Sequence, residues 1–236
     1  MIMLPKVKTT VYSVTLPDSK QKVEMRQLLA KEYKDLSKAY VMGDESTVHT
    51  TLKHIITDCV VTEGFDFSTL SFADVEFLFL KLYSFSVDNS IKVRLQCTLE
   101  HNGKPCNSVF GMEIPIEEIL VTELPEQKID LGEDTGIKLK LPSFDTWHSS
   151  KDKTDAEILF MMTDCVWVGD DVYVPGEDFS VEELSNWVDS LPQTEAQKIN
   201  DFIDNTPTLS FTKEITCPTC GNKQSVVLRG LDDFLA

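Results

Sequence analysis

Two cysteine pairs, Cys97 with Cys106 and Cys217 with Cys220, are the residues of this chain best suited to chemistry. The first lies in IKVRLQCTLEHNGKPCNSVFGMEI, where a β-branched run, a turn at Asn102-Gly103 and a second apolar run succeed one another. The second lies in LSFTKEITCPTCGNKQSVVLRGL, which repeats that plan with Pro218 and Gly221 as turn formers. Each pattern predicts a β-hairpin whose tip carries two thiols. Four thiolates are the ligand set of a closed, structural zinc site, tetrahedral at about 2.3 Å, and neither hairpin can complete it alone.

The CPxCG knuckle between strands has the form of half a zinc ribbon, whereas a lone CxxC would be a weak signal. Eight residues separate Cys97 from Cys106, more than the usual two to four, and this admits His101 as a rival ligand. Buried thiols acting as small hydrophobes are the other reading. Disulfides are the least favoured, because the start MIMLPKVKTTVYS has no apolar run of signal-peptide length and points to a reducing cytoplasm. A metal held by four cysteines is a staple with no open position for catalysis.

The elements that must position these thiols form an α+β chain. Residues 1–90 read as a mainly helical N-terminal region, 91–116 and 207–236 as zinc-ribbon-like hairpins, and 117–206 as an acidic α+β insertion between the two knuckles. After an extended start, residues 19–40 place Val23, Leu28, Leu29, Tyr33, Leu36 and Tyr40 at nearly helical spacing. Asp44 can cap a second helix that carries Leu52, Ile55, Ile56 and Cys59 inward. A third, over residues 72–85, is apolar almost all round, with Ser71 as its cap and Asp74 near its positive end. Such a helix is buried on more than one side, in the core or under a partner.

In the insertion, Ile129 and Leu131 alternate against Ile137, Leu139 and Leu141 as a hairpin, and Pro142 closes it. A helix over 150–162 precedes two short strands joined at Gly169-Asp170-Asp171. Ser180 and Glu183 form a capping box, and a last helix over 194–204 ends before Pro207. The terminal GLDDFLA sets Leu231, Phe234 and Leu235 beside Asp232 and Asp233. It is either a lid folded back over the ribbon or a short partner-binding motif.

Charge narrows the function. The chain carries a formal −17 in 236 residues, which argues against nucleic acid as a partner. Between Glu123 and Asp204, 20 Asp or Glu face 6 Lys or Arg, a net of −14, so the excess sits in the insertion, as a solvated surface or as a docking face for a basic partner. No stretch reaches the ~20 apolar residues of a membrane span. GxSxG, GxxxxGK and HExxH are all missing, and His49, His54, His101 and His148 are scattered, so no catalytic residue is assigned.

The segment FDFSTLSFADVEFLFLKLYSFSVDNSIKVRLQC, the two knuckles and the closing VVLRGLDDFLA together resemble the T4-like bacteriophage baseplate hub proteins, the T4 baseplate protein family. The resemblance implies a non-enzymatic protein of phage tail morphogenesis. It implies a hub subunit, or an assembly factor that leaves before completion, working in the host cytoplasm with other hub or tail proteins. A zinc-ribbon adaptor on a transcription or other protein complex is the alternative from a different class, and a hydrolase is the remaining one.

Overall fold

The computed structural model describes residues 9–101, 103–150 and 152–235, without the side chains of Glu45, His101 and Leu235. The chain is a mixed α+β protein. Strands β1 (Val11–Thr15) and β2 (Lys22–Arg26) pair as an antiparallel hairpin, followed by α1 (Ala30–Met42), α2 (Glu45–Cys59) and α3 (Phe72–Ser86). Then come β3 (Ser90–Gln96), β4 (Glu100–His101), β5 (Lys104–Pro105), β6 (Val109–Pro115) and β7 (Leu120–Val121). The next stretch holds β8 (Lys128–Gly132), β9 (Thr135–Leu139), α4 (Phe144–His148), α5 (Asp155–Met162), β10 (Thr163–Val168), β11 (Asp171–Tyr173), α6 (Val181–Asp189) and α7 (Gln193–Asp204). The chain closes with β12 (Leu209–Thr216), β13 (Lys223–Arg229) and α8 (Gly230–Leu235).

Two compact units result. One combines the chain up to Phe67 with Ala73–Val121 and the stretch from Thr208 onward; the other holds Ser68–Phe72 and Thr122–Pro207. In the first unit β3 pairs with β6, and β12 lies between β13 and β7. Helix α3 is central to that unit: Val75, Leu78, Phe79, Leu80 and Leu82 are all buried, as the run without a polar face requires. Asp44 caps α2, accepting from the Thr47 N–H at 2.8 Å, and Cys59 at the far end of that helix is buried.

Residues 19–40 depart from the helix expected of them. Lys20 takes a left-handed φ of 56°, which turns the chain back into β2, so that Val23 and Met25 point inward at 0 % exposure while Lys22 and Glu24 face solvent. The alternation in KVEMR has the two-residue period of a strand, and it outweighs the looser helical spacing. The helix starts only at Ala30, where the Glu32 carboxylate accepts from the Leu29 N–H.

Asp74 lies in the first turn of α3, as expected, and does more than favour the helix end. Fully buried, it accepts from the Asp18 and Ser19 N–H groups at 2.8 and 3.1 Å and so holds the turn of the β1–β2 hairpin.

In the second unit the sheet order is β11-β10-β9-β8. Ile129, Leu131, Ile137 and Leu139 from the predicted hairpin share one core with Leu159, Met162, Leu184, Ile199 and Phe202 from α5, α6 and α7. Gly136 sits opposite Trp167 in the β9–β10 register. A Cβ there would lie 2.0 Å from the indole ring, so glycine is required for the ring to cross the strand. The capping box of Ser180 and Glu183 forms as read. The helix expected over 150–162 begins later, at Asp155, because Thr154 with Glu157 makes the stronger start.

Candidate metal centre

The two knuckles are built to the same rule. Cys97 directly follows β3 and Cys217 directly follows β12, while Cys106 and Cys220 each stand three residues before the return strand, β6 or β13. Each hairpin ladder continues one step into its knuckle: the Cys97 N–H donates to the Ser108 carbonyl and the Cys217 N–H to the Asn222 carbonyl, both at 2.9 Å. The residue after the second cysteine is left-handed in both, Asn107 at φ 50° and Gly221 at φ 72°. Asparagine and glycine are the residue types that tolerate this turn. The longer spacing in the first knuckle is taken up by the β4–β5 pair, a small hairpin closed by the Cys106 N–H to the Leu99 carbonyl at 2.9 Å.

These hairpins bring four sulfurs together although 123 and 111 residues separate the paired cysteines. Cys97 Sγ lies 3.8 Å from Cys220 Sγ and Cys106 Sγ lies 3.9 Å from Cys217 Sγ. All four lie within 4.8 Å of one another. Those separations are too long for disulfides, which need about 2.05 Å. They match the edge of a tetrahedron with metal–sulfur bonds of about 2.3 Å, roughly 3.8 Å. Donor type, number and spacing therefore fit a metal ion with a full protein shell.

Backbone donors complete the arrangement. Backbone N–H groups favour the thiolate at each sulfur: Leu99 at Cys97, Ser108 at Cys106, Cys220 and Thr219 at Cys217, and Asn222 at Cys220. Such outer hydrogen bonds orient and stabilise thiolate ligands. The Ser108 hydroxyl, 3.3 Å from Cys217 Sγ, acts most strongly to lower that thiol, aided by the Cys220 and Thr219 N–H groups, and brings it to about 6. The Ser108 hydroxyl and N–H likewise pull Cys106 down. Cys97 gains from the Leu99 N–H, but burial and the three neighbouring sulfurs outweigh it and push the thiol up to about 12. Cys220 is raised against its Asn222 N–H by burial and by the Cys217 and Cys106 sulfurs. Crowded thiolates repel, and a divalent cation among them removes that conflict.

Of the remaining candidates, the His101 side chain lies outside the described residues. Cys59 joins no such cluster among the described residues: it is buried beside Glu32, and burial pushes its thiol up to about 12. In α8, Leu231 and Phe234 are buried, with Phe234 at 1 % exposure, whereas Asp232 and Asp233 face solvent and Asp233 accepts from the Arg229 N–H at 2.8 Å. The Leu235 side chain lies outside the described residues.

Two supporting residues escaped the sequence reading. Ser108 is one; its only mark is a place two residues after Cys106. Glu76 is the other. It sits in the apolar run of α3 at 1 % exposure and accepts from the Thr208 hydroxyl at 2.8 Å, the Leu209 N–H at 2.9 Å and the Leu231 N–H at 2.6 Å. One carboxylate thus fixes the base of β12, whose other end carries Cys217, and the start of α8. A lone acid amid VEFLFL was the available signal.

The chain is 26 % identical over 218 residues to the baseplate hub assembly protein gp26 of Enterobacteria phage T4, covering 90 % of this chain and 91 % of that protein. No solved structure matches. The family model described as T4 bacteriophage base plate protein matches residues 9–236, both knuckles and the closing helix included. The chain therefore belongs to the T4 bacteriophage base plate protein family.

Proposed function

We propose that this chain is a non-enzymatic assembly protein of a phage baseplate hub, stapled by a structural zinc ion on Cys97, Cys106, Cys217 and Cys220. The observation that carries the assembly role is the end-to-end likeness to a hub assembly protein, which leaves no large segment of either chain unmatched. Residues 91–116 and 207–236 act as the ribbon, residues 1–90 as its helical support, and 117–206 as an inserted acidic domain. The sulfur geometry supports zinc as a fold-closing ion, since four protein thiolates leave no coordination site for substrate.

The protein works in the host cytoplasm during tail assembly and binds other hub or tail proteins. The burial of Leu231 and Phe234 favours a structural role for α8 and leaves Asp232 and Asp233 as the part of the tail a partner can reach. Affinity purification from infected cells, with mass spectrometry of the captured partners and of finished virions, tests this. Hub or tail proteins are expected among the partners, and the virion content separates a resident subunit from a factor that departs. Recovery of RNA polymerase subunits without tail proteins would favour the adaptor reading instead.

A further inference from the structure

We infer that the second unit carries a docking groove for a basic segment of a partner protein that inserts an apolar anchor. The groove, ≈ 250 Å³, is lined by Val166, Val168, Tyr173, Phe179, Leu184 and Trp187. It opens beside β11, the end strand of its sheet, which pairs only with β10 among the described residues. An end strand offers backbone N–H and C=O groups to an incoming extended segment, and a neighbouring apolar pocket takes its alternate side chains.

Two of the apolar side chains that line it are left open to solvent: Val168 is 46 % exposed and Tyr173 39 %. Phe179 is placed on the groove by an ordered turn, in which Asp178 accepts from the Val174 N–H at 2.8 Å and the Gly176 N–H donates to the Phe179 carbonyl at 2.9 Å. Its ring meets Phe160 edge-on at 6.0 Å. The pocket wall is therefore built before any partner arrives, which lowers the ordering cost of binding.

Charge selects the occupant. From Thr154 to Gln197 the chain has eleven Asp or Glu and no Lys or Arg. Asp170 and Asp171 lie in the β10–β11 turn and strand, Glu177 and Asp178 in the turn that carries Phe179, and Glu182 at the start of α6, all exposed. A second copy of this chain would bring the same acids to the contact and be repelled, whereas Lys or Arg flanking an apolar anchor meets complementary charge.

A photo-crosslinking residue in place of Tyr173, in the full-length chain in infected cells, tests the groove, with the crosslinked peptide mapped by mass spectrometry. The expected product is a single partner segment with net positive charge and an apolar or aromatic residue at the crosslink. The double substitution Asp171→Lys with Glu182→Lys should lower the yield about five-fold, while Asp171→Glu with Glu182→Asp keeps it, and both variants should unfold thermally like the parent. Crosslinks to a second copy, to a segment without Lys or Arg, or no more product than from the same residue placed at exposed Glu133 would overturn the inference. The segment's chemistry tests the groove and the protein that carries it tests the assembly role, so the two fail separately.

Discussion

The two units of this molecule are held together by different means. The first is assembled from pieces far apart in sequence and is closed by polar and thiolate groups that reach across the gap. Glu76 meets partners 132, 133 and 155 residues away, Asp74 meets partners 56 and 55 residues away, and the paired sulfurs are 123 and 111 residues apart. The second is built almost wholly from one continuous stretch, Thr122–Pro207, as hairpins and capped helices around one apolar core, with its capping boxes spanning three residues. Closing a long loop carries an entropic cost that grows slowly with length, so a few strong ties at its base can hold a large intervening segment. The comparison predicts that damage to the ties is felt across the first unit, while damage in the second stays local.

The largest effect is expected from Leu78→Asp. Leu78 is 0 % exposed on the central helix, and a charge placed there without a partner costs several kcal/mol. The variant should be largely unfolded by circular dichroism. A soluble variant of parental stability would remove α3 from the centre of the first unit.

Next comes Glu76→Gln, which sharpens the comparison through pH. Burial raises the Glu76 pKa despite its three donors, so the folded chain binds that proton more tightly than the unfolded chain does. Its contribution to stability is then fully present below the ordinary carboxylate pKa and declines as pH rises through the elevated folded value. Urea unfolding across pH 4 to 8 should show this decline in the parent, and its removal in Glu76→Gln. Identical pH slopes would contradict it. Glu32 has the opposite sign: burial alone would raise it, but Arg26, donating at 2.9 and 2.6 Å, and the Leu29 N–H hold it lower, so its contribution is lost as pH falls.

In the second unit, Gly136→Ala drives a methyl group into Trp167 and should cost about 1–3 kcal/mol by overpacking, with the loss confined to that unit. Hydrogen exchange would check it, through faster exchange in β8–β10 and unchanged protection in β12–β13. Smallest is Ser180→Ala, which removes the hydroxyl that accepts from the Glu183 N–H at the start of α6 and should cost about 1 kcal/mol, read as a modest shift in the urea midpoint.

The same contrast explains what the sequence made legible. Asp44, Ser180 with Glu183, and the alternation of Ile129, Leu131, Ile137 and Leu139 act over a few residues, so their outcome is written locally. The left-handed residues after Cys106 and Cys220 are local as well, and Asn107 and Gly221 announce them. By contrast, the partners of Glu76 and Asp74 are chosen by tertiary proximity, and nothing near either acid names them. The β2 strand lay between: its short alternation competed with a longer helical spacing, and the turn at Lys20 decided the outcome. Ser108 was hidden for a related reason, because its contact with Cys217 spans 109 residues.

The central claim is that one metal ion on four cysteines closes the first unit. Elemental analysis of protein purified without chelator, alongside Cys97→Ser and Cys217→Ser, tests it most directly. One zinc per chain is expected in the parent, with metal content and thermal stability both falling in either variant, since structural zinc contributes its binding energy to folding. Cys165→Ala, outside the cluster, should keep both. A parent free of stoichiometric metal, with stability unmoved by Cys217→Ser, would contradict the account.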